Sequence, residues 1–318
     1  MKLVTGGAGF IGSAVVRSLL RRAEEVRVVD DLSKGTAATI PDHVDRLAGD
    51  VADPDVCARA MRGVDVCFHL AAKIGGIGYF HRYPADILDQ NNQMLSTIFR
   101  TGTDLGVKVT YVSSSMVFER AGEFPTAEDA IDRFPPPFSA YGFSKLVGEW
   151  YCRAFNQQFG TPFAIARPFN AYGPGEFAER EPGLAHVIPD LIVKILGDGR
   201  PVEIFGDGSQ TRSFTYVDDV ADAIVLIGLD ERAKGEDFNI GTGRETSIRD
   251  LLRLLWDICG RTGEPEVINR QPLPVDVPRR VPDVRKIEAL LGWRASTALE
   301  DGLRRTVDWY RSVARSGA

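Results

Sequence analysis

Lys2-Leu3-Val4-Thr5-Gly6-Gly7-Ala8-Gly9-Phe10-Ile11-Gly12 is the stretch that decides the fold. Residues 2–4 read as a buried strand, and glycines 6, 9 and 12 form a G-x-x-G-x-x-G turn into a helix. Such a turn lets the backbone come close to a pyrophosphate and aims a helix N-terminus at it. Alone it is a weak signal, since a glycine turn can be merely structural. The next apolar run, Val26-Arg27-Val28-Val29-Asp30, strengthens it by ending on a carboxylate. That acid can accept hydrogen bonds from ribose hydroxyls. It also repels a 2′-phosphate, so the pattern favours NAD over NADP, with Lys34 and Arg27 as opposing charges. Asp50-Val51 either flanks adenine, or Asp50 caps the helix expected near Pro54.

Outward from this turn, short apolar runs alternate with helical stretches. Residues 2–4, 26–30, 46–47, 66–70, 108–113 and 163–167 read as buried strands. Helices starting near Gly9, Asp55, Pro84 and Ala140 separate most of them. This alternation predicts an α/β fold built on a doubly wound, parallel Rossmann sheet. Beyond about residue 174 the pattern loosens. Helices are expected over 188–196, 217–229, 247–259 and 303–313, and strands over 202–205 and 238–240. In the third of these helices Leu251, Leu252, Leu255 and Ile258 should face inward. Residues 1–173 should therefore form the NAD-binding domain, with about 206–242 returning to it. Residues 174–318 should form mainly a smaller C-terminal substrate-binding lobe.

Composition removes several function classes. A net charge of −6 over 318 residues leaves no global basic footprint for nucleic acid. Cys57, Cys67, Cys152 and Cys259 lie far apart with no C-x-x-C, as expected of reduced thiols in a cytoplasmic protein. The four histidines show no ligand spacing, so no metal is expected. No apolar run approaches the roughly 18 residues of a membrane span. The first strand begins almost at Met1, which leaves no room for a signal peptide.

The second informative stretch is Ser139-Ala140-Tyr141-Gly142-Phe143-Ser144-Lys145. On a helix, Tyr141 and Lys145 share a face. An ammonium beside a phenol favours the phenolate, so the Tyr141 pKa should fall. A phenol so tuned takes a proton from an alcohol as hydride leaves the same carbon. A Tyr and a Lys four apart are more often a solvated helix face. Beside a dinucleotide turn they point to redox chemistry on a nicotinamide.

Taken in order, the motifs resemble the extended short-chain dehydrogenase/reductase family, in its nucleotide-sugar epimerase/dehydratase branch. They are Thr5–Gly12, Asp30, His69-Leu70-Ala71-Ala72, Asn92, Ser113-Ser114-Ser115-Met116-Val117-Phe118, Tyr141 to Lys145, Arg167-Pro168-Phe169-Asn170-Ala171-Tyr172-Gly173-Pro174 and Arg212-Ser213-Phe214-Thr215-Tyr216-Val217-Asp218-Asp219-Val220. The resemblance spans nearly the whole chain. It implies a catalytic set of Ser114, Tyr141 and Lys145, with Tyr141 as acid or base. It implies an NAD site of Gly6, Gly9, Phe10, Ile11, Gly12, Asp30, Asp31, Lys34, Asp50, Val51, Leu70, Ala71, Ala72, Asn92, Tyr141, Lys145 and Pro168. It implies substrate contacts from Lys73, Ser114, Ser115, Asn170, His186, Val187, Phe205, Arg212 and Arg280, the two arginines gripping a diphosphate. It also implies a homodimer packed through the helix after Asn91 and the helix bearing Tyr141. Met94, Leu95, Ile98, Phe99, Leu146 and Trp150 suit that interface, or equally the sheet.

Within the branch, the residues after Ser114 discriminate. Dehydratases there carry Asp-Glu, and decarboxylases keep the Glu, whereas this chain has Ser115 and Met116. The stretches Ala71-Ala72-Lys73-Ile74-Gly75-Gly76-Ile77 and Tyr83-Pro84-Ala85-Asp86 resemble GDP-fucose synthase and GDP-mannose 3,5-epimerase, with Lys73, His81 and Arg82 as candidate contacts. Those enzymes use a Cys where Met116 stands, and a thioether cannot do the acid/base work of a thiol. The reaction needing the fewest groups remains: NAD-dependent 4-epimerisation of a nucleotide-diphosphate sugar. A keto-sugar reductase or 3,5-epimerase, a dehydratase or decarboxylase, and a dinucleotide-sensing protein are the alternatives.

Overall fold

The computed structural model describes residues 1–74, 82–178, 186–197, 201–272 and 277–316. Its centre is a parallel sheet of β1 (Lys2–Thr5), β2 (Val26–Asp30), β3 (Asp45–Ala48), β4 (Val66–His69), β5 (Lys108–Val112), β6 (Phe163–Pro168) and the much later β11 (Asp237–Ile240). The order is β11-β6-β5-β4-β1-β2-β3. The chain therefore winds outward from β1 in one direction, then returns to wind the other way from β4. The crevice at such a switch point, beyond the carboxyl ends of the strands, is where ligands bind in open α/β sheets.

Alternation along β1 assigns its side chains to two cores. Val4 packs under α1 (Phe10–Arg21) with Val15, Val16 and Leu19. Leu3 packs on the opposite face, where α2 (Pro54–Met61), α3 (Pro84–Leu105) and α4 (Ala140–Phe159) cover the sheet. Strand side chains point to opposite faces with a period of two, so a sheet covered on both faces reads as a continuous apolar run. The edge strand β3 departs from the expected burial: three of its four residues are exposed, because among the described residues no strand pairs beyond it. Met94, Leu95, Ile98 and Phe99 all lie in the second core, so they face the sheet and not an outer surface.

The second half of the chain divides its loyalties. β11 extends the sheet beside β6, and α6 (Val217–Leu229) packs on α1 in the first core. A third core gathers α5 (Val187–Leu196), β8 (Val202–Phe205), α7 (Ile248–Ile258) and α9 (Leu299–Ser316). In α7 the inward set is Leu251, Leu252, Leu255 and Trp256; Ile258 is only partly buried. One further return was not anticipated from sequence. Helix α8 (Arg285–Leu291) comes back to the first core through Ile287 and Leu291. The remaining strands are short: β7 (Ala171–Tyr172) with β10 (Thr215–Tyr216), β9 (Thr211–Arg212) between β12 (Thr246–Ser247) and β14 (Arg279–Arg280), and β13 (Val267–Arg270) with β8. Among the described residues, no helix is long and apolar enough to cross a membrane.

Candidate active site

A cleft of about 900 Å³ runs along the carboxyl ends of the strands, between the sheet and the third core. Its size suits a cofactor or small-molecule site. It is lined by every residue named above for catalysis, cofactor or substrate except Asn92 and the loop candidates His81 and Arg82. The α3 residues that line the cleft are Gln90, Gln93 and Met94, while Asn91 is buried behind them and ties three segments together. Its Oδ1 accepts the Lys73 N–H at 2.7 Å, and its Nδ2 donates to Ser144 Oγ at 3.0 Å. Asn92 does not line the cleft, and its Oδ1 is buried with no hydrogen-bond partner among the described residues. His81 lies outside the described residues, and Arg82 sits over the Tyr83 ring at 5.7 Å and does not line the cleft.

At the cofactor end, Gly6 sits at φ +68° with the Ala71 backbone against it; an added Cβ would lie 2.9 Å from Ala71 Cα. At Gly12 a Cβ would lie 2.0 Å from the Gly6 carbonyl oxygen, so α1 can start this close to the turn only with glycine there. Gly9 caps α1 without any side-chain hydrogen bond, and the first turn contains no acid. The first amides of α1 are thus left for an anion. Asp30 lines the same end, and its carboxylate already accepts from Ala8 N (2.9 Å) and Leu32 N (2.8 Å). A carboxylate has about four lone-pair sites, so it keeps acceptor capacity for ribose hydroxyls. The ends of β1 and β4 are joined by Thr5, whose Oγ1 accepts from Leu70 N and Ala71 N and bonds His69 Nδ1 at 2.8 Å. Burial holds the His69 pKa down at about 3, with the Lys145 charge adding to it, so this ring is neutral. These residues fit a dinucleotide.

The reacting groups meet at the middle of the cleft. Ser114 follows β5 and caps the short 3₁₀ turn Ser115–Phe118, accepting from Met116 N at 3.2 Å. Its hydroxyl also hydrogen-bonds the Tyr141 phenol. Lys145 Nζ donates to the Val112 carbonyl at 2.9 Å and lies 5.8 Å from the Tyr141 ring centre. The expected fall in the Tyr141 pKa is not found. Burial raises it, and the Ser114 hydrogen bond offsets only part of the rise. The phenol packs with Ile87 and Met116 in an apolar cluster where a phenolate loses its hydration. Lys145 is itself pulled down to about 8 by burial, against the raising effect of Glu149. At neutral pH the resting site therefore holds a neutral phenol beside a lysine that is still mostly an ammonium, not a preformed phenolate–ammonium pair.

Beneath them lies a buried charge network to which the sequence reading gave no role. Glu149, one turn after Lys145, is fully buried and accepts Ser113 Oγ at 2.6 Å. Arg167 grips Glu149 through Nε and Nη2, both at 2.6 Å, and also reaches Asp237 at 2.6 Å. The network locks the ends of β5, β6 and β11 to the catalytic helix. The spacing Lys145 to Glu149, another i,i+4 pair on the same face, was the available signal.

At the lobe end, parallel pairing of β9 with β14 sets Arg212 opposite Arg280. Both arginines line the cleft, and planar guanidinium forks have the geometry to grip phosphate oxygens. Asn170 lines the cleft at φ +39°, an uncommon conformation that Asn tolerates, with its Nδ2 donating to Ser213 O at 3.2 Å. His186 bonds Glu176 through Nδ1. Burial opposes the charged ring, but the Glu176 charge and hydrogen bond outweigh it and raise the pKa. Val187 and Phe205 line the same end.

Residues 2–241 match the model of the NAD dependent epimerase/dehydratase family. A putative UDP-glucose 4-epimerase of Methanocaldococcus jannaschii is 35% identical over 99% of this chain and 100% of its own length. The solved UDP-glucose 4-epimerase of Thermotoga maritima with UDP-glucose superposes with TM-score 0.89 at 33% identity, covering 98% of this chain and 99% of that one. A dTDP-glucose 4,6-dehydratase of Streptomyces venezuelae, solved with NAD bound, gives TM-score 0.88 at 33% identity, covering 98% and 97%. Similarity thus extends across more than one reaction.

Proposed function

The chain belongs to the NAD dependent epimerase/dehydratase family, and we propose that within it the protein is a nucleotide-sugar 4-epimerase. Met116 carries this reading. It packs against the Tyr141 ring with Ile87, Ile74 and Ala140, and contributes no proton-transfer group. The acids that line the cleft are elsewhere: Asp30 ends β2, Asp31 and Asp50 follow β2 and β3, while Glu176, Asp190 and Glu203 belong to the second half of the chain. Among the described residues, the reacting cluster offers Ser114, Tyr141 and Lys145 alone. That set moves a proton at one hydroxyl and has nothing to deprotonate the neighbouring carbon.

The glycine turn and the α1 N-terminus would hold the NAD pyrophosphate, Asp30 its adenosine ribose, and Tyr141 and Lys145 its nicotinamide ribose. Bound NAD supplies the hydride acceptor and donor for the sugar C4, and a positive charge beside the phenol. Ser114 accepts the C4 hydroxyl and relays its proton to Tyr141. The Lys145 ammonium stabilises the phenolate form that takes that proton. Arg212 and Arg280 hold the diphosphate while the ketone turns its other face, and Tyr141 then returns the proton. The apolar wall of Ile74 and Met116 keeps water from the ketone.

A UDP-hexose is the substrate class to try first, given what the epimerase relatives bind. NMR of a mixture with UDP-sugars should show interconversion at C4, with no net reduced cofactor and no solvent deuterium at carbon. Deuterium uptake next to C4 would replace this reading by a 3,5-epimerase or dehydratase. Stoichiometric NADPH consumption would replace it by a reductase.

The same proposal divides the chain into a cofactor part, 1–173 with about 206–242, and a lobe, mainly 174–318. The outward apolar residues of α4, Phe143, Trp150 and Phe159, favour a homodimer through that helix. Sedimentation at micromolar concentration tests it, and a monomer would end it. Four buried, unpaired cysteines favour a reducing, cytoplasmic setting.

A further inference from the structure

Ser114 and Tyr141 reach the reacting centre from separate segments, and their hydrogen bond is only as good as the alignment of those segments. Ser114 rides on the turn after β5; Tyr141 rides on the first turn of α4. The chain between them leaves the site and returns. One contact closes this excursion. Glu119, at the end of the Ser114 turn and 7% exposed, accepts Ser139 N at 2.8 Å through one oxygen. Its other oxygen accepts Ser139 Oγ at 2.6 Å. Twenty residues separate the partners. Ser139 is the N-cap of α4, and its Oγ accepts Gly142 N at 2.9 Å. The hydroxyl therefore spends its proton on Glu119 and its lone pair on the helix.

We propose that Glu119 is a positioning residue: it clamps the N-cap of the catalytic helix to the Ser114 turn and so sets the reach from Ser114 to Tyr141. A neutral side chain could not duplicate the contact. Both oxygens must accept, and a carboxylate facing a helix N-terminus also meets the positive end of the helix dipole. The fit around the clamp is close. A Cβ on Gly142 would stand 2.7 Å from the Met116 carbonyl and 2.8 Å from Pro137 Cβ, so the first turn of α4 lies directly on the Ser114 turn. Without Glu119 the two surfaces still touch, and the middle of α4 stays tied to the end of β5 through Lys145 with Val112 O and Glu149 with Ser113, but the polar contact at the first turn, where Tyr141 sits, is lost. Reaction geometry is steeply sensitive to shifts of about 1 Å, at a cost of about 100-fold.

The proposal rests on Ser114 and Tyr141 being the reacting pair. Its test uses the full-length NAD complex of Glu119→Ala and Glu119→Gln. Steady-state kinetics should show kcat down about 100-fold for Ala and about 10-fold for Gln, which keeps one acceptor, with KM within about twofold. Ultraviolet difference titration, with Tyr141→Phe as the blank, should show the phenol titrating at higher pH in both variants as the Ser114 hydrogen bond loosens. If Glu119→Ala folds poorly, Glu119→Gln carries both measurements. An unchanged kcat overturns the clamp, and so does an unchanged Tyr141 titration. A wild-type protein that turns over no nucleotide sugar overturns the epimerase reading instead, and the titration alone then decides the clamp.

Discussion

Helices α1 and α4 both begin at the carboxyl edge of the central sheet, and their first turns are finished in opposite ways. α1 starts at Gly9, which gives its amides no side-chain acceptor. α4 starts at Ser139, whose hydroxyl satisfies Gly142 N and is itself held by Glu119. An open helix end is an anion site. A closed helix end is a rigid mount for side chains. The same local geometry thus holds a ligand group in one place and a protein group in the other, and the difference lies in a few capping atoms.

The largest expected effect breaks the closed end. Tyr141→Phe should lower kcat by about 10²–10⁴-fold. NAD affinity, read by fluorescence titration, should stay within a few-fold, because the open end is untouched. Equal losses of both would mean that the two ends are not separable.

Next comes the charge network behind the closed end. Glu149→Gln leaves Arg167 buried with, among the described residues, only Asp237 as an ion-pair partner. The cost should sit near the low end of the range for broken buried pairs, about 3 kcal/mol, read by denaturant unfolding. A change below about 1 kcal/mol would show that Asp237 alone suffices.

Gly12→Ala breaks the open end. Its Cβ would meet the Gly6 carbonyl at 2.0 Å, so the turn must shift. Overpacking of this kind costs about 1–3 kcal/mol. Calorimetry should find NAD affinity reduced more than Tyr141→Phe reduces it, the reverse of the first experiment.

The smallest effect is a pH dependence at the lobe. The His186 pKa is raised in the folded protein, because Glu176 outweighs burial. Its stabilising contribution is therefore full below the unfolded value of about 6.5 and is lost as pH rises through the higher folded value. The side chain is 53% exposed, so solvent screening limits the effect to about 1 kcal/mol. Substrate KM should rise over the same window, as Glu176 loses its screening cation beside the diphosphate arginines. His186→Gln should flatten that rise; an unchanged profile would remove His186 from substrate binding.

Legibility followed the range of the interactions. The glycine turn, the strand–helix alternation and the Tyr141–Lys145 pair are local patterns, and the structure places them where periodicity puts them. Asn92 does not line the cleft, because the rotation of α3 is held by the contacts of Asn91 to Lys73 and Ser144, which no local pattern reports. The returning helix α8 was hidden because seven residues make a weak helical signal and their partner strand β11 lies far upstream. The pairing of Arg212 with Arg280 depends on two-residue strands, too short for any period to show.

By itself the sequence determined the chemistry available: a turn that admits a pyrophosphate, an acid for a ribose, and a hydroxyl, a phenol and an amine, with a thioether where a second acid would stand. Only the tertiary structure decided their state and register. Burial, which no local window contains, raised the Tyr141 pKa against the effect expected of Lys145. Contacts between distant segments, Glu119 with Ser139 and Glu149 with Arg167, fixed where the reacting groups stand. Propensity and spacing act between near neighbours in the chain, whereas desolvation and alignment depend on everything that packs around a group.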